Sequence, residues 1–95
     1  MWILQTAKPE PALKFRLGPG AVKTVGRATR ADFIVDAALV SRIHCRITAG
    51  EEKLEVVDLR STNGTYVNGK RVQRAELQSG DRLRVGRVEL VVSRN

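Results

Sequence analysis

The chain has 95 residues, of which 42% are hydrophobic, 28% charged and 4% aromatic, and its formal net charge is +7. This is the composition of one globular domain with a core of Val, Ile and Leu. No apolar run is long enough for a membrane span or a signal peptide, and the single cysteine, Cys45, cannot form an internal disulfide. We expect one cytoplasmic domain over residues 1–95 (nuclear if the source is eukaryotic), whose basic surface attracts nucleic acid, acidic lipid or phosphorylated protein.

Alternating apolar and polar residues predict short strands, each with one buried face. The apolar members, in chain order, are Phe15 and Leu17; Ile43, Cys45 and Ile47; Leu83 and Val85; and Val88, Leu90 and Val92. A further strand is predicted over residues 53–59. On the same alternation His44 falls on the polar face of its strand.

Turn signals separate these strands. They are Gly18-Pro19-Gly20, Ala49-Gly50-Glu51, Asn63-Gly64, Asn68-Gly69 and Ser79-Gly80-Asp81. Residues 74–78 alone have helical composition, and they are too few to form a stable helix by themselves. Many short strands spaced by turns predict an all-β sandwich or small barrel.

Three segments at strand ends carry polar residues that strand alternation does not explain. They are Gly26-Arg27, Ser41-Arg42 and Ser61-Thr62-Asn63-Gly64. Loops at strand ends commonly carry function. Arginine offers a charged fork of donors, and serine and threonine hydroxyls each add one more, so the set fits a tetrahedral oxyanion on a peptide.

The same segments resemble the forkhead-associated (FHA) domain family, whose pattern is G-R, then S-x-x-H, then S-T-N-G-T and a following N-G. The matching residues are Gly26-Arg27, Ser41 and His44, Ser61-Thr62-Asn63-Gly64-Thr65, and Asn68-Gly69. Val85-Gly86 is also similar to the family, and the resemblance covers nearly the whole chain. It implies a β-sandwich of about eleven strands whose loops at one end bind phosphothreonine peptides.

The resemblance also implies roles for individual residues. Arg27, Ser41 and Thr62 would contact the phosphate, and Arg42 would add a further contact. Asn63 would hydrogen-bond the backbone of the ligand.

Other residues would shape the site without touching the phosphate. Gly64 would shape its binding loop, His44 would brace the loops, and Gly26 and Gly86 would support them. In this interpretation the Asn63-Gly64 turn is a binding loop, and Asn68 closes the hairpin behind it.

Two positions depart from the family pattern. Leu39 stands where some members carry a charged residue that reads the third ligand position after the phosphothreonine, and leucine argues against an acidic preference there. Arg60 lies beside a pocket that is usually apolar in the family. These two residues therefore bear on which peptide sequence is preferred.

An enzymatic interpretation has little support in the sequence. Ser41, His44 and Asp58 resemble a hydrolase triad in composition only, because the chain has no nucleophile elbow. One His and one Cys are too few for a metal site. We expect neither catalysis nor a cofactor.

The sequence favours a monomeric module that binds phosphothreonine-containing proteins in Ser/Thr kinase signalling. A nucleic-acid-binding β domain is the main alternative because of the +7 charge, but the few aromatics show no stacking pattern. A scaffold that does not need phosphate is the other alternative, and the presence of Arg27, Ser41 and Thr62 argues against it.

Overall fold

The computed structural model describes residues 1–9 and 11–95, and these residues form eleven strands. The strands are β1 (Trp2–Thr6), β2 (Lys14–Leu17), β3 (Val22–Gly26), β4 (Phe33–Ile34), β5 (Cys45–Ala49), β6 (Leu54–Asp58), β7 (Thr65–Val67), β8 (Lys70–Val72), β9 (Arg74–Leu77), β10 (Arg82–Val85) and β11 (Val88–Arg94). No helix in the described part of the chain is long and apolar enough to cross a membrane.

The strands form two sheets that pack face to face. The six-stranded sheet has the order β2-β1-β11-β10-β7-β8, and the five-stranded sheet has the order β4-β3-β5-β6-β9. Among the described residues eight of the nine strand pairs are antiparallel, and β3 and β4 run parallel. The predicted all-β sandwich of about eleven strands is confirmed.

The core lies between the sheets, where alternate residues of each strand point inward. It is built almost wholly from aliphatic side chains, including Leu4, Ile47, Leu54 and Leu90, all fully buried. Cys45 is also buried there, and burial raises the pKa of its thiol to about 12. The predicted strand over residues 53–59 is confirmed as β6, which pairs with β5.

One segment of helical composition forms a strand, and one expectation, that for His44, is wrong. Residues 74–77, which are too few for a stable helix, form β9 by pairing with the free edge of β6. His44 is fully buried, not on a polar face. Regular pairing of β5 begins at Cys45, so strand alternation does not extend back to His44.

Three aromatic residues link the two sheets. Phe15 on β2 stacks on Phe33 on β4 with ring centroids 4.5 Å apart, which joins the edge strands of the two sheets. The indole N–H of Trp2 donates to the Gly50 carbonyl at 2.9 Å. These contacts give the few aromatics structural positions.

The Asn68-Gly69 pair forms the two-residue turn between β7 and β8, as the sequence predicts. Both residues have positive φ, 51° and 83°, as a type I′ hairpin requires. The side chain of Asn68 accepts a hydrogen bond from the Arg82 N–H at 2.9 Å and donates to Asp81 at 3.2 Å. The turn is thereby fixed to the start of β10.

This geometry predicts a graded response at position 68. Asn68→Ala should lower the free energy of unfolding by about 1–2 kcal/mol, since alanine is disfavoured at positive φ. Asn68→Gly, which tolerates that φ but also loses both side-chain hydrogen bonds, is the matched control and should cost less. Urea denaturation measures both; equal losses would show that the backbone conformation is not the main contribution.

Candidate functional site

Three loops meet at one end of the sandwich. The first loop joins β3 to β4 (residues 27–32), the second joins β4 to β5 (35–44), and the third joins β6 to β7 (59–64). Between them lies an open cavity of about 820 Å³. It is lined by Arg27, Arg30, Asp36, Ala37, Ala38, Leu39, Val40, Ser41, Arg42, Ile43, Arg60, Thr62 and Asn63.

The first and second loops are joined through their backbones. The Arg27 N–H donates to the Ser41 carbonyl at 2.9 Å, and the Ala28 N–H donates to the Arg42 carbonyl at 3.1 Å. A Cβ at Gly26 would lie 2.0 Å from that Arg42 oxygen. Only glycine lets the two loops approach this closely.

The Arg27 side chain is exposed, and one of its three nitrogens is already hydrogen-bonded within the fold. Its Nε donates to the Val40 carbonyl at 3.1 Å, which fixes the direction of the guanidinium. The two terminal nitrogens have no hydrogen-bond partner among the described residues. They form a charged donor pair held at the cavity.

The second and third loops are joined by side chains. The Thr62 N–H donates to Ser41 Oγ at 3.0 Å, and Asn63 Nδ2 donates to the Leu39 carbonyl at 3.1 Å. Because Ser41 Oγ accepts this bond, its hydroxyl hydrogen remains a donor for a ligand. Asn63 likewise keeps its side-chain oxygen as an acceptor.

His44 lies beneath the cavity and bonds to both of these loops. The Ser41 N–H donates to His44 Nδ1 at 3.0 Å, and His44 Nε2 lies 2.8 Å from the Gly64 carbonyl. The tautomer protonated on Nε2 satisfies both contacts. The ring therefore contacts backbone groups on both sides, and it forms no hydrogen bond with Ser41 Oγ or Asp58, so the triad geometry is absent from the described residues.

The third loop is folded around Asp58 at the end of β6. The carboxylate of Asp58 accepts hydrogen bonds from the hydroxyl and N–H of Ser61 and from the Thr65 hydroxyl, the last at 2.7 Å. Ser61 Oγ in turn accepts the Gly64 N–H at 3.0 Å. Burial by itself raises the pKa of the Asp58 carboxyl, but these hydrogen bonds outweigh it and hold the pKa below its ordinary value.

The predicted site residues fall into three positions. Those that line the cavity are Arg27, Leu39, Ser41, Arg42, Arg60, Thr62 and Asn63. Those that lie behind it are Gly26, His44, Gly64 and Gly86, the last packed against the backbone of Ala38 and Leu39. Asn68 lies apart, at the opposite end of β7 from the third loop.

Sequence reasoning missed several residues. Arg30 and Asp36 line the cavity, and nothing in their local sequence distinguishes them from ordinary surface charges. Asp58, Ser61 and Thr65 form the buried network. The sequence signal for this network was an aspartate at the end of the predicted strand, with serine and threonine in the turn that follows. In the described part of the chain, no three His, Cys, Asp or Glu side chains are grouped so as to hold a metal ion.

Comparison with known proteins assigns the chain to a family. The sequence model of the FHA domain matches residues 23–86. An ABC transporter ATP-binding/permease protein of Mycobacterium tuberculosis is 43% identical over 75 residues, which cover 79% of this chain and 9% of that protein. An oxoglutarate dehydrogenase inhibitor of Corynebacterium efficiens is 41% identical over 68 residues, covering 72% of this chain and 48% of the relative. The chain thus spans less than half the length of these curated relatives.

A solved structure gives the same assignment. It is described as a structural and functional analysis of phosphothreonine-dependent FHA domain interactions. It matches with a TM-score of 0.89 and 33% identity, over 99% of this chain and 96% of that one. The likeness extends over all the elements that carry the three loops.

The Asp58 network predicts a stability change with pH. A carboxyl whose pKa is depressed on folding adds stability above its unfolded pKa of about 3.9, and that stability is lost as the pH falls through the lower folded value. Asp58→Asn should lower the free energy of unfolding at neutral pH by roughly 1.5–3 kcal/mol, because a charged acceptor is lost. It should also flatten the decline of stability below about pH 4.

Chemical denaturation from neutral to acidic pH measures both effects. Asp36→Asn is the matched control, because Asp36 is exposed and has no hydrogen-bond or ion-pair partner among the described residues. Equal pH profiles for the wild type and Asp58→Asn would rule out a stabilising role for the ionised Asp58 network.

Proposed function

The chain belongs to the FHA domain family, and on that premise we propose that it is a phosphothreonine-dependent binding module. The observation that carries the proposal is a set of unused donors on three loops around one cavity. They are the terminal guanidinium nitrogens of Arg27 and the hydroxyls of Ser41 and Thr62. A phosphate offers three strong acceptor oxygens and a charge of about −1.5 to −2 near neutral pH, which this set matches.

The proposed role of each residue follows from the hydrogen-bond donors and acceptors that it does not already use within the fold. Arg27 gives the charged contact, because its Nε is already held by Val40 and its outer nitrogens are not. Ser41 and Thr62 donate their hydroxyl hydrogens, and Arg42 adds a second cation from the same cavity wall. The side-chain oxygen of Asn63 accepts an N–H of the peptide backbone.

The positions of these groups are fixed before any ligand arrives. The Ser41 N–H donates to the His44 ring, and the Ser41 carbonyl accepts the Arg27 N–H. The Thr62 N–H donates to the Ser41 hydroxyl oxygen. A site built in advance loses less conformational entropy on binding, so more of the contact energy appears as affinity. We propose that the His44 and Asp58 contacts serve this purpose.

The similar proteins support this function. One similar solved structure comes from a study of phosphothreonine-dependent FHA domain interactions. One relative is an oxoglutarate dehydrogenase inhibitor. We therefore propose phosphothreonine-containing proteins of a Ser/Thr kinase pathway as partners. The module would act by binding alone, without catalysis or cofactor, as a cytoplasmic monomer, with residues 1–95 as one FHA domain.

Nucleic-acid binding is the alternative favoured by the +7 charge. Binding of single strands commonly uses exposed aromatic faces on which bases stack. Here Trp2 is 2% exposed, Phe15 and Phe33 cover each other, and Arg84 lies 4.0 Å from the centroid of Tyr66. All four aromatics are therefore engaged within the fold, which favours the phosphopeptide function.

Removing the phosphate contacts should weaken binding without unfolding the protein. Arg27→Ala should cost roughly 2–5 kcal/mol of binding free energy, because the phosphate loses a hydrogen-bonded charge. Ser41→Ala should cost about 1.5–3 kcal/mol, the range for a hydrogen bond to a charged group. Calorimetric titration with a phosphothreonine peptide measures both.

Arg16→Ala is the matched control, since Arg16 is an exposed arginine on β2 that does not line the cavity. Unchanged affinity in Arg27→Ala would contradict the assignment. Duplex DNA in the same assay tests the alternative: binding with a log–log salt slope of about −0.9 per neutralised phosphate, and no response to phosphopeptide, would favour it.

The cavity should also discriminate phosphothreonine from phosphoserine by one methyl group. Burial of a methyl is worth about 0.8 kcal/mol by transfer, and a close-fitting pocket raises the difference to roughly 1–3 kcal/mol. Ala37, Val40 and Ile43 give the cavity wall an apolar part, whereas Arg60 adds a charged side chain to it, which makes a poor surface against which to bury a methyl group. We expect the lower half of that range.

Titration with two peptides that differ only in this residue measures the discrimination. The unphosphorylated peptide is the baseline and should not bind measurably. Equal affinities for the phosphothreonine and phosphoserine peptides would show that no methyl pocket exists in this chain.

A further inference from the structure

The cavity carries more positive charge than one phosphate requires. Four arginines line it, Arg27, Arg30, Arg42 and Arg60, against a single carboxylate, Asp36. All four are exposed, and none forms an ion pair with a described carboxylate. One phosphate, of charge about −1.5 to −2, cannot balance four guanidinium groups.

No carboxylate of the described residues forms an ion pair with the arginines at this end. Three ion pairs occur elsewhere in the described residues: Lys53 with Glu76 at 3.2 Å, Arg74 with Glu55 at 3.8 Å and Arg82 with Glu89 at 2.7 Å. The cavity arginines have no such intramolecular partners among the described residues. Like charges that line one cavity repel, so their arrangement favours an anionic ligand larger than a single phosphate.

Arg60 is presented from a fixed and unusual backbone position. Its φ is 56°, a conformation that side chains other than Asn and Gly rarely adopt. Leu59 before it donates its N–H to the His44 carbonyl at 2.9 Å, and Ser61 after it is buried against Asp58. A strained, anchored residue with a free charged side chain at a cavity is a feature of binding sites.

Arg30 is presented in a similar way from the first loop. The Ala31 N–H donates to the Ala28 carbonyl at 3.0 Å, and Ala31 is buried. Asp32 then accepts the N–H and hydroxyl of Thr24 at 2.9 and 3.1 Å. The turn that carries Arg30 is therefore fixed, while its guanidinium is free to meet a ligand.

We propose that the ligand carries further anionic groups next to its phosphothreonine and that Arg30 and Arg60 bind them. This inference rests on the phosphopeptide function and adds the class of peptide: an acidic or multiply phosphorylated segment, not a neutral one. Arg27 and Arg42, which flank the hydrogen-bonded Ser41 backbone, serve the first phosphate. Arg30 and Arg60, on the first and third loops, extend the positive surface beyond it.

Asp36 reduces the attraction of the same cavity for anions. It is the one carboxylate in the lining, and a ligand anion near it would be repelled. Asp36→Asn should therefore tighten binding of the acidic peptides more than that of a neutral phosphopeptide.

The test compares five peptides of one backbone sequence by fluorescence anisotropy at about 50 mM salt, where surface charge interactions are weakly screened. One carries phosphothreonine with neutral flanks. Others add two glutamates before it, two glutamates after it, or a second phosphothreonine; the fifth carries glutamates and no phosphate. The readout is the ratio of affinities between each charged phosphopeptide and the neutral one.

In the wild type, at least one charged phosphopeptide should bind roughly three- to tenfold more tightly than the neutral one, the range for two exposed ion pairs. The arm with the largest ratio identifies carboxylate or phosphate as the preferred anion. In the double variant Arg30→Gln, Arg60→Asn this ratio should fall close to one. Asparagine is used at position 60 because it tolerates the positive φ.

Arg16→Gln removes the same charge far from the cavity and should leave the ratio unchanged. A ratio of one for every charged phosphopeptide in the wild type would overturn the inference while the neutral phosphopeptide still binds. An equal fall of the ratio in Arg16→Gln would overturn it too, because the effect would be one of net charge. If the unphosphorylated acidic peptide binds as tightly as the phosphorylated ones, both the inference and the proposed function are wrong.

Discussion

His44 is fully buried and makes four hydrogen bonds. The loops around the cavity depend on these bonds for their positions. The His44 N–H donates to the Val25 carbonyl at 2.7 Å, and its carbonyl accepts the Leu59 N–H at 2.9 Å. Its ring takes the Ser41 N–H and contacts the Gly64 carbonyl. One residue thus joins β3 to the second and third loops, through its backbone and its ring together. A buried imidazole is tolerated because every polar atom it has is paired.

The remaining contacts extend this arrangement outwards to the cavity. Gly26 lets the first loop lie against the second, so that Arg27 stands next to Ser41. The Asp58 network shapes the third loop from below, with Ser61 facing the core and Thr62 facing the cavity. Groups that point towards solvent are left with free donors, and groups that point inwards are paired. A polar site of this kind needs little rearrangement when an anion binds.

The sequence predicts the sandwich well because period-two alternation and turn residues are local signals. The strand at residues 54–58, the Asn68-Gly69 hairpin and the all-β architecture follow from them. Alternation gives the wrong position for His44, because the chain is irregular just before β5. The composition of residues 74–77 does not predict β9, which forms by pairing with β6. Motif order brings most of the cavity residues together, since the family pattern spans all three loops. Arg30 and Asp36 could not be predicted, because only the loop conformation turns these ordinary surface charges into cavity lining.

The most direct measurement is a phosphothreonine-peptide titration of His44→Ala beside the wild type, with amide NMR spectra of both proteins to establish that the sheets are folded. If His44 organises the phosphate site, affinity should fall roughly tenfold or more, because two hydrogen bonds worth about 1 kcal/mol each no longer hold the second and third loops. The amide signals of Ser41 and Gly64 should shift while those of the β1–β11 pairing stay in place. A folded His44→Ala protein with unchanged affinity would contradict the view that this buried histidine builds the site.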